Sequence, residues 1–123
     1  MDANPVVWFE IYVADLERAR KFYEAVFTVR LEKLDSPELE MWAFPGQEQG
    51  SGACGALVHM EGCTPGGGGT IIYFSCEDCA EQAGRAAASG GHIVRDKFAI
   101  GQYGFIALVA DTEGNIIGLH SMR

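Results

Sequence analysis

Apolar and polar positions alternate along the first part of the chain. Over residues 6–13, Val7, Phe9, Ile11 and Val13 fall on one side of a predicted strand, and Trp8, Glu10 and Tyr12 on the other. The first side is uniformly apolar and belongs under a helix. The second mixes two aromatics with one carboxylate, which suits a wall facing a ligand better than open solvent. Asp15 then offers a carboxylate to the N–H groups of a first helical turn. Leu16, Ala19, Tyr23, Val26 and Phe27 follow at helical spacing, with Glu17, Arg18, Arg20, Lys21 and Glu24 mostly outside. The spacing predicts a helix ending near Phe27 or Thr28. Strands are predicted over 29–34, 40–44 and 54–60, with a polar turn over 47–52.

The same plan then recurs. A strand-like run over 70–76 leads to Asp78, which follows Asp15 by 63 residues. A second helix begins there and stops at Gly90 and Gly91, with a small inner face of Cys79, Ala83, Ala86 and Ala87. Strands are predicted over 92–97, 103–110 and 115–120, the last preceded by a turn of Asp111, Thr112, Glu113, Gly114 and Asn115. A repeat of this period marks two copies of one supersecondary unit. Each copy reads β-α-β-β-β. The expected fold is α+β: a single domain of two tandem modules, 5–62 and 70–123, whose sheet curls around a cleft. The glycine-rich segment 63–69 is read as the linker. It lacks the Lys-Ser/Thr that completes a phosphate-binding loop.

Composition narrows the function classes. The chain has 123 residues, 48% of them hydrophobic, enough for one compact core. No apolar run approaches the roughly 18 residues of a membrane span, and the first residues lack a signal-peptide pattern. A cytoplasmic protein is the expectation, with no membrane partner. The net charge of −8 repels phosphate backbones, so nucleic acid is not an expected partner. Cys54, Cys63, Cys76 and Cys79 are read as reduced. Cys76 and Cys79 form a CxxC, but no second CxxC or nearby His completes a zinc set, and both occupy apolar positions of the pattern.

The doubled pattern, the run Val13-Ala14-Asp15-Leu16-Glu17-Arg18-Ala19-Arg20-Lys21-Phe22-Tyr23 and the turn Asp111-Thr112-Glu113-Gly114-Asn115 resemble the vicinal oxygen chelate superfamily. That group includes glyoxalase I, bleomycin resistance proteins and extradiol dioxygenases. Tyr103 to Leu108, with Ile117 to Ser121, resembles a glyoxalase-related subgroup of unassigned function. The resemblance implies a small-molecule ligand in the cleft between modules and a homodimer. It also implies a divalent metal, with ligands on the first and last strand of each module. Those positions fall here at Trp8, Ile71, Gly118 and near Gly55 to Leu57, none of which is a metal ligand. The usual metal is therefore not supported, and the cofactor is left open. The resemblance also implies Gly after the first helix, where this chain has Thr28. The β-branched residue suggests a different helix end.

Other residues remain for chemistry. Glu10 and His120, two positions beyond Trp8 and Gly118, are the candidate catalytic pair. Glu10 is a candidate general base with its pKa raised by apolar walls. The two can equally hydrogen-bond to each other or to backbone. Trp8, Tyr12, Trp42, Tyr73, Ser75 and His59 are the candidate ligand-binding residues. Glu10, His59 and His120 are also weighed as a relocated metal site. Two functions stay open: an enzyme acting on a small carbonyl or oxygenated compound, and a protein that sequesters an antibiotic-like molecule.

Overall fold

The computed structural model describes residues 8–36, 39–46, 52–61, 63–67 and 70–123. The start of the first predicted strand at 6–7, most of the turn over 47–52, and Gly68 and Gly69 lie outside these. Module one runs β1 (Trp8–Tyr12), α1 (Leu16–Phe27), β2 (Glu32–Leu34), β3 (Glu40–Ala43) and β4 (Cys54–His59). Module two runs β5 (Tyr73–Ser75), α2 (Cys79–Ala88), β6 (His92–Ala99), β7 (Phe105–Ala110) and β8 (Ile116–Ser121). Each module forms its own four-stranded sheet, ordered β1-β4-β3-β2 and β5-β8-β7-β6. The first strand of each pairs in parallel with the last, and the remaining pairs are antiparallel. Neither sheet closes on itself.

Both helices begin as the acidic caps predict. Asp15 accepts from Arg18 N–H at 3.0 Å, and Asp78 from Ala80 N–H at 3.0 Å. Helix α1 buries Leu16, Ala19, Phe22, Tyr23 and Val26 on one face. It ends with Thr28 in the left-handed region, φ 55°, whose N–H bonds the Glu24 carbonyl. The helix thus stops as a glycine-terminated one would, despite the β-branched residue. Helix α2 buries Cys79, Ala83 and Ala86; Ala87, expected inside, is exposed.

Several strands are shorter than the pattern predicts. After Thr28, the Leu31 N–H goes to the Glu24 carboxylate at 3.0 Å rather than to a neighbouring strand, so β2 starts only at Glu32. Gly101–Tyr103 forms a 3-10 turn, and Gly104 at φ 102° delays β7 to Phe105.

The helix-covered faces of the two sheets share one core. Ile11, Val13, Tyr23 and Leu57 pack in the same cluster as Cys79, Ala83, Val109, Ile117 and Leu119. Phe74 of β5 stacks on Phe27 at 4.4 Å between centroids and meets Phe9, Tyr23 and Phe44 at 5.8 to 6.5 Å. Burial of this size is the main stabilising term of the fold, and it makes the modules one body.

Candidate functional site

On β1, residues 8, 10 and 12 point away from the helices. Glu10 sits between two aromatic donors: Trp8 Nε1–H donates to Oε2 at 3.2 Å, and the Tyr12 hydroxyl to Oε1 at 2.7 Å. The Tyr12 phenol is held above its ordinary pKa, first by that hydrogen bond and then by partial burial and the Glu10 charge. The apolar walls expected around Glu10 do not enclose it, since Glu10 is exposed and Trp8 is 41% exposed.

Glu10 and Tyr12 line a cavity of about 200 Å³ between the modules. Its other walls are Thr64–Gly67, Thr70, Ile72 and Asn115–Ile117, with Ile11. The glycine-rich segment is therefore more than a connection. Gly66 and Gly67 both adopt positive φ, 91° and 95°, and Gly66 N–H donates to Asn115 Oδ1 at 2.7 Å. Asn115 Nδ2 donates to the Tyr12 carbonyl at 3.0 Å and to Asp111 Oδ2 at 2.9 Å. One amide side chain thus fixes two walls of the cavity.

Behind Asn115 lies a buried polar network that pattern reading assigns only to a turn. Asp111 Oδ2 accepts the hydroxyl of the fully buried Tyr23 at 2.7 Å. Glu113 reaches across to α1: it accepts from Ala14 and Asp15 N–H at 3.1 and 2.9 Å and from the Arg18 guanidinium at 2.7 and 2.9 Å. Burial alone would raise the Glu113 pKa. Arg18, the Asp15 N–H and the Thr112 hydroxyl outweigh it and hold the carboxyl at about 2. The available signal was an acidic residue within a turn, two positions from Asp111, and turn acids are ordinary. What singles it out is contact over 95 to 99 residues of sequence, which local pattern does not carry.

The remaining candidates are dispersed. His120 lies on the outer face of the second sheet, beside Ser75 on β5 and Ile106 on β7. Its Nε2 is 2.6 Å from the Tyr103 carbonyl. It neither lines the cavity nor bonds to Glu10. Tyr73 shares the outer face with His120 and lies over Gly118, where an added Cβ would come within 2.3 Å of its ring. His59 and Trp42 fall on the opposite, helix-covered side, contrary to the ligand-facing expectation. The reason is parity: both match Leu57, which is in the core. His59 Nδ1 bonds the Val13 carbonyl at 3.1 Å, and the Arg20 guanidinium of α1 lies 4.7 Å over Trp42. Glu10, His59 and His120 are thus not brought together. All four thiols are free. Cys79 is buried, and burial pushes the half-buried Cys76 thiol up to about 11, so neither is poised for exchange.

The divalent metal implied by the superfamily resemblance finds no fitting donors at Trp8, Ile71, Gly55–Leu57 or Gly118. No group of three or more His, Cys, Asp or Glu side chains capable of holding a metal exists among the described residues. Nor, among them, is any helix long and apolar enough to cross a membrane.

Comparison with known proteins agrees with this architecture. Residues 6–37 match the family model described as bleomycin resistance protein-like N-terminal. Glyoxalase I from Zea mays is 22% identical, with a TM-score of 0.74 over 96% of this chain and 46% of that one. This chain thus spans about half the length of the maize enzyme. A glyoxalase-related enzyme from Fulvimarina pelagi is 21% identical, with a TM-score of 0.73 over 97% of this chain and 88% of its own. A glyoxalase/bleomycin resistance protein/dioxygenase family enzyme from Burkholderia phytofirmans is 14% identical, with a TM-score of 0.70 over 94% and 97%. No curated protein sequence matches significantly. The resemblance read from the sequence holds: the chain has the two-module fold of the vicinal oxygen chelate superfamily.

Proposed function

We propose that this protein binds a small organic molecule in the cavity between its modules, without a metal at the superfamily's usual positions. The supporting observation is the prebuilt wall at that cavity. Glu10 and Tyr12 are fixed to each other, and Asn115 holds Tyr12 and Gly66 in place. Polar groups held in advance around an apolar lining of Ile72, Ile116 and Ile117 are the usual makings of a ligand site. Sequestration is favoured over acid–base catalysis because His120, the partner such chemistry would use with Glu10, is engaged at Tyr103 instead. Four free thiols suit a reducing cytoplasm.

A homodimer completes the proposal. Among the described residues, the large apolar side chains left exposed are Trp8 in module one and Ile71, Tyr73, Val94, Tyr103 and Met122 in module two. Association with a second copy would cover these side chains.

The test is a fragment screen by protein-observed NMR, paired with turnover assays on carbonyl compounds with and without divalent metals. Ligands should shift the amides of Gly66, Gly67 and Asn115 and emerge unchanged. Metal-stimulated turnover, or ligands that bypass these signals, would refute the reading.

A further inference from the structure

We infer that the group recognised at this cavity is an organic cation, a protonated amine or quaternary ammonium, held at the Glu10 carboxylate beside the Trp8 and Tyr12 rings. This rests on the small-molecule reading above and names its ligand class. Three observations carry it.

First, Glu10 has no ion-pair partner among the described residues. Its hydrogen bonds come from an indole and a phenol, both neutral. The donors fix the carboxylate without cancelling its charge, and each oxygen keeps a lone pair for a third party. An exposed carboxylate ordinarily samples many rotamers; this one is pinned.

Second, the pinning groups are aromatic. Indole and phenol faces attract cations through the ring quadrupole, and indole does so best. Both rings meet the carboxylate through their donor edges, so Glu10 supplies the charge and the adjoining rings supply aromatic surface for the alkyl groups of an ammonium. A neutral ligand gains only contact, and an anion is repelled by Glu10 and by the chain's net charge of −8.

Third, the space is small. About 200 Å³ beside Glu10 and Tyr12 suits a ligand below ordinary drug size. The aliphatic lining from Ile72 and Ile116 can take its uncharged body.

The experiment compares choline with 3,3-dimethylbutan-1-ol, which has the same shape and no charge. Both are titrated into the ¹⁵N-labelled full chain at one fixed ionic strength. Choline should shift the Trp8 indole N–H and the Gly66 and Gly67 amides, and bind about tenfold more tightly than the alcohol. Glu10→Gln should bring choline down to the alcohol's affinity and leave the alcohol unchanged. Trp8→Leu should weaken choline selectively, and thermal melts establish that both variants are folded. Equal binding of the two compounds at these signals would overturn the cation assignment while the cavity reading stands. Choline shifts confined to other residues, or none, overturn the assignment as well. If the fragment screen also finds no ligand at Gly66, Gly67 or Asn115, the cavity reading falls with it.

Discussion

Two single residues hold more of this structure than their positions in the chain suggest. Thr28 closes α1 at φ 55°, a conformation that costs a β-branched residue about 1–2 kcal/mol. Its hydroxyl returns only an exposed 3.4 Å contact with Arg85. Glycine removes the strain but enlarges the freedom of the unfolded chain, so Thr28→Gly should stabilise the protein by about 0.5–1 kcal/mol in urea unfolding. A lower midpoint would contradict the strain argument. Glu113 is the opposite case. Its carboxyl, ordinarily near 4.5, sits at about 2 in the folded protein. A depressed carboxyl contributes stability that is fully present above its unfolded pKa and is lost as pH falls from 4.5 through 2. Glu113→Gln should cost about 2–3 kcal/mol at neutral pH, because Arg18 and two N–H groups lose their acceptor charge. The variant's stability should also fall less between those pH values than the parent's. Parallel pH curves would show that Glu113 does not carry the acid sensitivity.

At the scale of elements, each module places an aromatic ring over a glycine on the neighbouring parallel strand. Phe9 lies over Gly55, and Tyr73 over Gly118; an added Cβ would stand 2.3 Å from ring atoms at either site. The two devices differ in depth. Phe9 packs against the core, whereas Tyr73 is 49% exposed. Gly55→Ala should therefore cost about 1–3 kcal/mol through overpacking, and Gly118→Ala distinctly less, since the Tyr73 ring can swing into solvent. Equal losses in thermal unfolding would refute this account. The strands and helices around these pairs were legible because Asp15, Asp78 and the alternation over 6–13 are local signals. Parity also separated Glu10 from Phe9 and Ile11. The same rule, applied on β4 without a firm register, misplaced His59. Trp42 was misassigned because an aromatic at a strand position reads alike on either face. The polar network of Asp111, Glu113 and Asn115 was illegible for another reason: its partners lie 88 to 103 residues away.

For the whole molecule, the exposed apolar residues of module two predict its association. Light scattering at micromolar concentration should report twice the chain mass, and Tyr103→Glu should halve it. The Tyr103 side chain is 66% exposed, and its contact to His120 is made by the backbone, so the substitution leaves the fold's own bonds in place. A monomeric parent chain would end the dimer proposal. The reach of Glu113 and Asn115 back to residues 12–18 has a temporal consequence as well. On the ribosome, β1 and α1 emerge before module two, yet the groups that hold the backbone leading into that helix and the strand's last carbonyl emerge about a hundred residues later. We expect the N-terminal half to stay incompletely ordered until the closing turn is made. Hydrogen exchange on a fragment ending at residue 110 should find α1 unprotected, and restoring residues 111–123 should protect both halves together.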